Sequence, residues 1–269
     1  MKRLCIILAF IPTLPLFGQW TALQRLGNIY SEAETVCNEP YQVSFANSIA
    51  TISTAHTGAS CTDALTGSTA EPNISGGIAW TSQSFTYGTV TFRGALPSST
   101  TATWPAIWLL TTACQASFVQ VAYAPYGTCP AVSTSAYNEI DMFECATGAP
   151  FSNWCQMHMF AGGTSPSACA FAVSDTNYHT WVLTWSASSV ALTMDGTGTG
   201  CSYSSGSSTI AQGPLFLIIQ TQMLGAGSFL PAAFKLDYVE VQDASNNIIF
   251  YDHFNHMSML PTSLSSGAF

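Results

Sequence analysis

The stretch Asn138-Glu139-Ile140-Asp141-Met142-Phe143-Glu144 carries three of the 14 acidic residues in a chain of 269 residues, of which only 7% are charged. Glu139 and Asp141 would point to the same face of a β-strand, because side chains alternate with a period of two. Glu144 would point to the opposite face of a regular strand. A β-bulge at Met142-Phe143 inserts one residue and returns Glu144 to the shared face. The stretch therefore predicts a bulged strand with three carboxyl groups on one surface.

The acidic face of this strand has more than one interpretation. Ile140 and one of Met142 or Phe143 are expected to point into a core, which leaves the acids on a solvated surface or in a calcium site. Two close carboxyl groups in unequal environments are also what retaining glycoside hydrolysis requires. The flanking sequence favours the catalytic interpretation, because it is strand-like and rich in aromatic residues and includes Trp104-Pro105-Ala106-Ile107-Trp108-Leu109-Leu110 upstream.

Alternation of apolar and polar side chains with a period of two dominates the rest of the chain. Residues 179–194 have the pattern of a hairpin with its turn at 186–189. A helical period of 3.6 residues is not found over any length. Many short strands with turn residues between them predict an all-β fold, a two-sheet antiparallel β-sandwich. The segments with strand patterns are 41–45, 85–93, 179–194, 214–222, 234–242 and 247–251.

The acidic motif is one of several segments that together indicate a protein family more specifically than any one of them does alone. They are Phe85-Thr86-Tyr87-Gly88, Trp104 to Leu110, Glu139 to Glu144, Tyr178-His179-Thr180-Trp181 with Asp195-Gly196, and Lys235-Leu236-Asp237-Tyr238-Val239-Glu240-Val241. In this order and spacing the chain resembles glycoside hydrolase family 16, the family of laminarinases, lichenases and related β-glycanases, over roughly residues 36 to 243. The resemblance implies a curved jelly roll with a concave substrate cleft. The Asp-Glu-Phe segment that usually opens the family is not visible near the N-terminus.

The resemblance implies a role for each carboxyl group of the motif. Glu139 matches the nucleophile that attacks the anomeric carbon, and Glu144 matches the general acid/base. Asp141, between them, is expected to hydrogen-bond Glu139 and hold its geometry. Three crowded carboxyl groups cannot all ionise at low cost, so one of them is expected to have a raised pKa, and the general acid Glu144 needs that proton.

Five other residues are candidates for substrate binding. Trp104 and Trp108 share strand parity, so both can face the cleft and stack on sugar rings, although core packing is the usual role of tryptophan. His158 matches a cleft histidine of the family that could hydrogen-bond a sugar hydroxyl or the central aspartate of the motif. A satisfied core histidine is the alternative. Gln220 and Gln222 share a face of an apolar strand, where sugar hydroxyls or backbone groups would satisfy their amides.

The N-terminus has the pattern of a secretory signal peptide. Lys2 and Arg3 precede an apolar run from Leu4 to Phe17, which is too short and too interrupted by proline to span a membrane. We expect residues 1–19 to be removed and residues 20–269 to form a single catalytic domain. The mature protein is expected to be secreted, to the extracellular space or the periplasm. An uncleaved anchor is the alternative interpretation.

The charge balance limits the partners of the protein. The net charge is −9, and loss of Lys2 and Arg3 leaves three basic residues against 14 acidic ones, a net charge of −11. Such a surface repels nucleic acid and anionic membranes, so neither is an expected partner. The expected partner is a neutral polysaccharide, and the protein is expected to be a monomer. The sequence predicts no cofactor and no metal site, since His253 and His256 form an isolated pair.

The cysteines favour disulfides formed in an oxidising compartment. Eight cysteines remain once Cys5 leaves with the signal peptide, and none of them forms the C-x-x-C pair of a zinc ribbon. The sequence leaves many pairings open, although short loops favour pairing between neighbours. The favoured pairs are Cys37–Cys61, Cys114–Cys129, Cys145–Cys155 and Cys169–Cys201.

These observations support one leading hypothesis and three alternatives. The leading hypothesis is a secreted retaining glycoside hydrolase that cleaves internal bonds of a neutral β-glucan, β-1,3 or mixed β-1,3/1,4, by double displacement. A transglycosylase would pass the same glycosyl-enzyme to a sugar acceptor. A non-catalytic β-glucan-binding recognition protein would usually have lost at least one of the three carboxylates. An unrelated lectin-like or structural sandwich would make the motif a coincidence.

Overall fold

Strands make up nearly all of the regular structure of this all-β protein. The computed structural model describes residues 20–22, 37–38, 42–56, 61–62, 69–70, 73–80, 83–97, 103–115, 129–146, 154–173, 175–223 and 232–255. The strands in these ranges are β1 (Trp20–Ala22), β2 (Cys37–Asn38), β3 (Val43–Ala46), β4 (Ile49–His56), β5 (Cys61–Thr62), β6 (Thr69–Ala70), β7 (Asn73–Trp80), β8 (Gly88–Ala95), β9 (Thr103–Thr111), β10 (Asn138–Ala146), β11 (Trp154–Ala161), β12 (Cys169–Ala172), β13 (Tyr178–Trp185), β14 (Ser189–Met194), β15 (Thr197–Ser204), β16 (Leu215–Met223), β17 (Ala232–Gln242) and β18 (Ile248–Asp252). A 3-10 helix, Thr112–Cys114, follows β9.

The strands form two sheets, in which neighbouring strands of the order given below run antiparallel. In the first sheet the order is β12-β11-β10-β9-β16-β7, with β1 also beside β7. In the second sheet the order is β15-β14-β13-β8-β17-β4, with β3 beside β4 and β18 beside β17. The sheets are joined where β4 meets β7, at the pairs Ala55–Ile74 and His56–Asn73. The short β2 runs parallel to β7, and β5 pairs with β6. This architecture confirms the expected two-sheet antiparallel β-sandwich.

The predicted bulge in β10 is present. Asp141 pairs with Trp108 of β9 and Phe143 pairs with Ile107, so Met142 is the additional residue. Met142 and Phe143 are both fully buried in the main core. The expectation that only one of them points into the core was wrong. At the bulge, two successive residues occupy the place of one residue of a regular strand, and both side chains point inward.

The bulge is anchored in the core between the two sheets. The ring of Phe143 lies 4.7 Å from Trp181, 5.5 Å from Phe92 and 5.9 Å from Phe234, measured between centroids. These three partners belong to β13, β8 and β17 of the second sheet. Full burial of each large aromatic side chain contributes roughly 1.5–3 kcal/mol. The position of the acidic motif is therefore fixed by the central packing of the sandwich.

Three disulfides confirm the expected pairing of neighbouring cysteines, Cys114–Cys129, Cys145–Cys155 and Cys169–Cys201. The fourth expected pair, Cys37–Cys61, falls on side chains outside the described part of the chain. The bond between Cys169 and Cys201 connects β12 to β15, the outer strands of the two sheets. It therefore closes the sandwich on the side opposite to the β4–β7 junction.

Loss of the Cys169–Cys201 bond is expected to lower the free energy of unfolding more than loss of Cys145–Cys155. The first bond closes a loop with a sequence separation of 32 and the second a loop of 10. The chain-entropy argument gives about 3.7 and about 2.7 kcal/mol, respectively. Urea unfolding of the two double Cys→Ser variants measures both losses. A larger loss at Cys145–Cys155 would contradict the prediction.

The N-terminal end of the described chain packs against its C-terminal end. Residues 1–19, the expected signal peptide, lie outside the described residues. Trp20 is buried, and its Nε1 donates to Asp252 Oδ2 at 2.7 Å. The ring of Phe254 lies 6.1 Å from Trp20 and 5.8 Å from Phe45. Within the described ranges, no helix has the length and apolar character needed to cross a membrane.

Candidate active site

The three carboxyl groups of β10 lie on the face of the first sheet that points away from the main core. We call this surface the site face. Ile107 and Leu109 of β9 point into the main core, as do Met157 and Met159 of β11. The residues that alternate with them belong to the site face, which comprises Trp104, Ala106, Trp108, Leu110, Gln156, His158, Phe160, Phe216, Ile218 and Gln220.

Strand register gives each carboxyl group different neighbours. The flanking pairs are Leu110 and Phe160 for Glu139, Trp108 and His158 for Asp141, and Ala106 and Gln156 for Glu144. The immediate surroundings therefore become more polar from Glu139 toward Glu144.

A second hydrophobic cluster covers one end of the site face. Cys114 and Tyr137 join residues of β9 and β16 in this cluster, and Cys129 packs against it. Glu139 is 8% exposed and Asp141 is 4% exposed, whereas Glu144 is only partly buried. The carboxyl groups thus have the unequal environments that acid–base chemistry with two carboxyls requires.

The environment of Asp141 favours the protonated form of its carboxyl group. Burial raises the pKa of its carboxyl well above the usual range, the charges of Glu139 and Glu144 raise it further, and a hydrogen bond to Glu139 acts in the same direction. The sequence predicted a raised pKa in this group and expected the general acid Glu144 to carry that proton. The structure shows a raised pKa for Asp141, which is the most deeply buried of the three carboxyl groups.

Glu139 accepts a hydrogen bond from a tyrosine that the sequence analysis missed. The Oη atom of Tyr137 donates to Oε2 of Glu139, and Tyr137 is 1% exposed. Strand parity could have indicated this contact, because residues two apart lie on the same side of an extended chain. Glu139 therefore meets Tyr137 on one side and Asp141 on the other.

Glu144 is held by two neutral donors. Trp104 Nε1 donates to its Oε1 at 3.1 Å, and Gln156 Nε2 donates to its Oε2 at 2.8 Å. Gln156 was not among the predicted site residues. Its position opposite Glu144 depends on the register across the bulge. These bonds orient a carboxyl group that remains partly open to solvent.

The two candidate tryptophans share the site face but differ in exposure. Trp104 is only partly buried, and besides binding Glu144 it packs at the margin of the second cluster. Trp108 is a member of that cluster and is 8% exposed. Of the two indoles, Trp104 therefore offers more surface for a sugar ring.

His158 lies directly opposite Asp141 in the sheet but does not bond to it. Its Nε2 lies 2.7 Å from Ser165 Oγ and 3.1 Å from the Pro166 carbonyl oxygen. Burial lowers the pKa of His158, which the bond to Pro166 partly opposes. The imidazole is therefore neutral at neutral pH.

The two candidate glutamines of β16 lie beside β9. Gln220 is 4% exposed and pairs in register with Ala106. Gln222 pairs with Trp104 through its backbone, and its side chain is outside the described part of the structure. Gln220 thus belongs to the same surface as the carboxyl groups, in line with Glu144 and separated from it by Ala106 of β9.

One group of side chains in the described ranges has the ligand types of a metal site. Asp141, Glu144 and His158 each bring one ligand atom within 4.8 Å of the others. Metal binding requires a deprotonated carboxylate, and burial disfavours that form of Asp141. These donors therefore fit a metal less well than three solvated ligands of the same types would.

The two sheets with an acidic site face define a jelly-roll β-sandwich, and solved structures share this fold. LamAcat from Zobellia galactanivorans has a TM-score of 0.65 and 20% identity, over 83% of this chain and 90% of that chain. The laminarinase catalytic domain from Thermotoga maritima has a TM-score of 0.60 and 19% identity, over 83% and 91%. The GH16 protein of the Bacteroides ovatus mixed-linkage glucan PUL has a TM-score of 0.59 and 15% identity, over 83% and 94%.

These similarities establish a laminarinase-like fold for this chain. Comparison of the sequence with family models and with curated proteins finds no match.

Proposed function

We propose that this protein is a retaining endo-β-glucanase that cleaves a neutral β-1,3- or mixed β-1,3/1,4-glucan. The observation that carries the proposal is the unequal pair Glu139 and Glu144 on one face of a bulged strand. Glu139 is buried and receives hydrogen bonds, as suits a nucleophile. Glu144 is partly exposed, as suits a group that exchanges protons with substrate and water. The named laminarinase and mixed-linkage glucan protein of the same fold support this substrate class.

In the first chemical step, Glu139 attacks the anomeric carbon as the bond to the leaving oxygen breaks. Glu144 donates its proton to that oxygen, so the leaving sugar departs with a neutral hydroxyl group. The product is a glycosyl ester on Glu139, which no longer carries a negative charge. The negative charge thereby moves from Glu139 to Glu144, while burial still favours the neutral form of Asp141 beside the ester.

In the second step, water replaces the departed sugar. Glu144, now a carboxylate, takes a proton from the water as its oxygen attacks the anomeric carbon and the ester bond breaks. Glu139 leaves as a carboxylate, and Tyr137 and Asp141 again donate to it. Two inversions at one carbon give net retention of configuration.

A neutral substrate is favoured by the charges around the site. The described part of the site face contains no Lys or Arg, because Arg93 and Lys235 belong to β8 and β17 of the other sheet. An anionic polysaccharide would meet a net charge of −9, and no Lys or Arg of the described residues lies beside the carboxyl groups. A neutral glucan offers apolar ring faces to Trp104 and hydroxyl groups to Gln220.

We also propose that residues 1–19 are a cleaved signal peptide and that residues 20–269 act as one monomeric catalytic domain outside the cytoplasm. The three disulfides support an oxidising compartment. The buried Trp20 supports a mature chain that begins close to the first strand.

The test of this proposal is azide rescue of Glu144→Ala. We expect kcat on laminarin and mixed-linkage glucan to fall by about 10²- to 10⁴-fold, because the general acid is lost. An aryl β-glucoside oligomer with a good leaving group needs less acid assistance, so its glycosyl-enzyme should still form. Azide then attacks that intermediate without a general base and restores turnover. Proton NMR is expected to show a β-glycosyl azide.

Glu240→Ala is the matched control, since Glu240 is a partly buried carboxylate of β17 that accepts from Gln242 at 2.7 Å. We expect wild-type activity and no azide effect in this variant. An α-glycosyl azide from Glu144→Ala would reverse the assigned roles of Glu139 and Glu144. Sugar products of the wild-type protein that are longer than the substrate supplied would favour the transglycosylase alternative.

A further inference from the structure

Tyr137 is held rigidly against Glu139. Its backbone N–H donates to the Thr134 carbonyl, and its own carbonyl accepts from Gly162, both at 3.2 Å. Its ring lies edge-on to Phe160, with centroids 6.1 Å apart. The phenol is therefore fixed by the second hydrophobic cluster and cannot turn away from Glu139 without opening it.

Glu139 and Asp141 form a buried pair of carboxyl groups, of which Glu139 accepts a hydrogen bond from Tyr137. A phenol has one proton to donate, and that of Tyr137 points to Glu139. The bond between the two carboxyl groups needs one proton, which either residue could carry. A proton on Asp141 gives Glu139 two donors, whereas a proton on Glu139 would leave the phenol without a charged acceptor. Hydrogen bonds to the charged form of a carboxyl group favour that form.

Few other charges on the described residues can decide where the proton lies. On β10 itself, Glu144 repels negative charge on both members of the pair. From β11, His158 faces Asp141 as a neutral ring. From β9, the neighbours Leu110 and Trp108 do not titrate. Tyr137 therefore distinguishes Glu139 from Asp141 by a direct hydrogen bond.

We propose that Tyr137 is a positioning residue that keeps the negative charge on Glu139 and the shared proton on Asp141, which keeps the nucleophile ionised for the first chemical step. This role rests on the proposed glucanase function. It extends the site beyond the acidic motif to a residue that precedes β10.

Tyr137→Phe tests the role, because it removes the hydroxyl and retains the ring. We expect kcat to fall by about 10- to 100-fold, the range for a hydrogen bond to a charged group. KM should change little, since Tyr137 does not reach the substrate. The acid limb of the pH profile of kcat/KM should move to higher pH, because Glu139 then takes up a proton more readily. Carbon-13 NMR of the seven labelled glutamates should show that Glu139 titrates at higher pH in the variant than in the wild type. The Glu139 signal is assigned by comparison with Glu139→Gln.

Tyr203→Phe is the matched control. Tyr203 is also buried, at 7% exposure, but its hydroxyl lies 3.0 Å from the backbone carbonyl oxygens of Met157 and Ser167, either of which can accept its one proton. This variant should lose stability without any change in the Glu139 titration or in the pH profile. An unchanged Glu139 titration in Tyr137→Phe would overturn the proposal, and so would an equal loss of kcat in both variants. The NMR titration needs no turnover, so it tests Tyr137 even if the wild-type protein hydrolyses no glucan.

Discussion

Glu139→Gln is expected to lower kcat on β-glucan by at least about 10⁴-fold, because an amide cannot form the glycosyl ester. The substitution retains the size of the side chain and leaves an amide oxygen that can accept from Tyr137. It also removes a negative charge that raises the pKa of Asp141. The folded protein should therefore be as stable as the wild type or more stable. Release of reducing sugars and the midpoint of thermal unfolding measure the two expectations.

Glu240→Gln provides the control for this variant, because it makes the same change of charge on the second sheet. It should retain full activity. A Glu139→Gln protein with wild-type activity would contradict the assignment of the nucleophile. A Glu139→Gln protein that loses activity together with its thermal transition would instead indicate a structural role for this carboxyl group.

Gly88→Ala is expected to lower the free energy of unfolding by at least about 3 kcal/mol, because backbone strain and overpacking add at this position. Gly88 begins β8 with φ of +133°, a conformation that side chains rarely adopt. A Cβ atom at this position would lie 2.0 Å from the Gln242 carbonyl oxygen. That oxygen belongs to the backbone of β17, so relief requires separation of two paired strands in the middle of the second sheet.

Gly198→Ala is the matched control for Gly88→Ala. Gly198 lies in β15, and an added Cβ atom would meet nothing within 4 Å. We expect its free energy of unfolding to stay within about 1 kcal/mol of wild type. Urea unfolding of both variants gives the comparison. Equal effects at the two glycines would show that the approach of β17 to Gly88 does not constrain the fold.

The sequence was sufficient for features that depend on local periodicity. Alternation with a period of two predicted the β-sandwich and placed Trp104 and Trp108 on one face of β9. The spacing of Glu139, Asp141 and Glu144 predicted a bulge, because no regular strand brings all three to one side. Both members of the bulge nevertheless entered the core, which alternation alone could not indicate.

The partners of each carboxyl group depend on contacts between strands that are distant in sequence. Trp104 reaches Glu144 from 40 residues away, and Gln156 reaches it from 12 residues away across the bulge. Their positions follow from strand order and register, which no local pattern specifies. The raised pKa of Asp141 has the same origin, because it responds to burial and to nearby charges that the fold brings together.

The sequence by itself thus determined the sheet architecture, the bulged strand and the identity of the three carboxyl groups, since these follow from side-chain alternation along one strand. Only the tertiary structure decided which carboxyl groups are buried, that burial raises the pKa of Asp141 and which neighbours donate to the others. Burial and hydrogen bonding arise when β9, β11 and the segment before β10 close around the motif, and these contacts exist only in the folded chain.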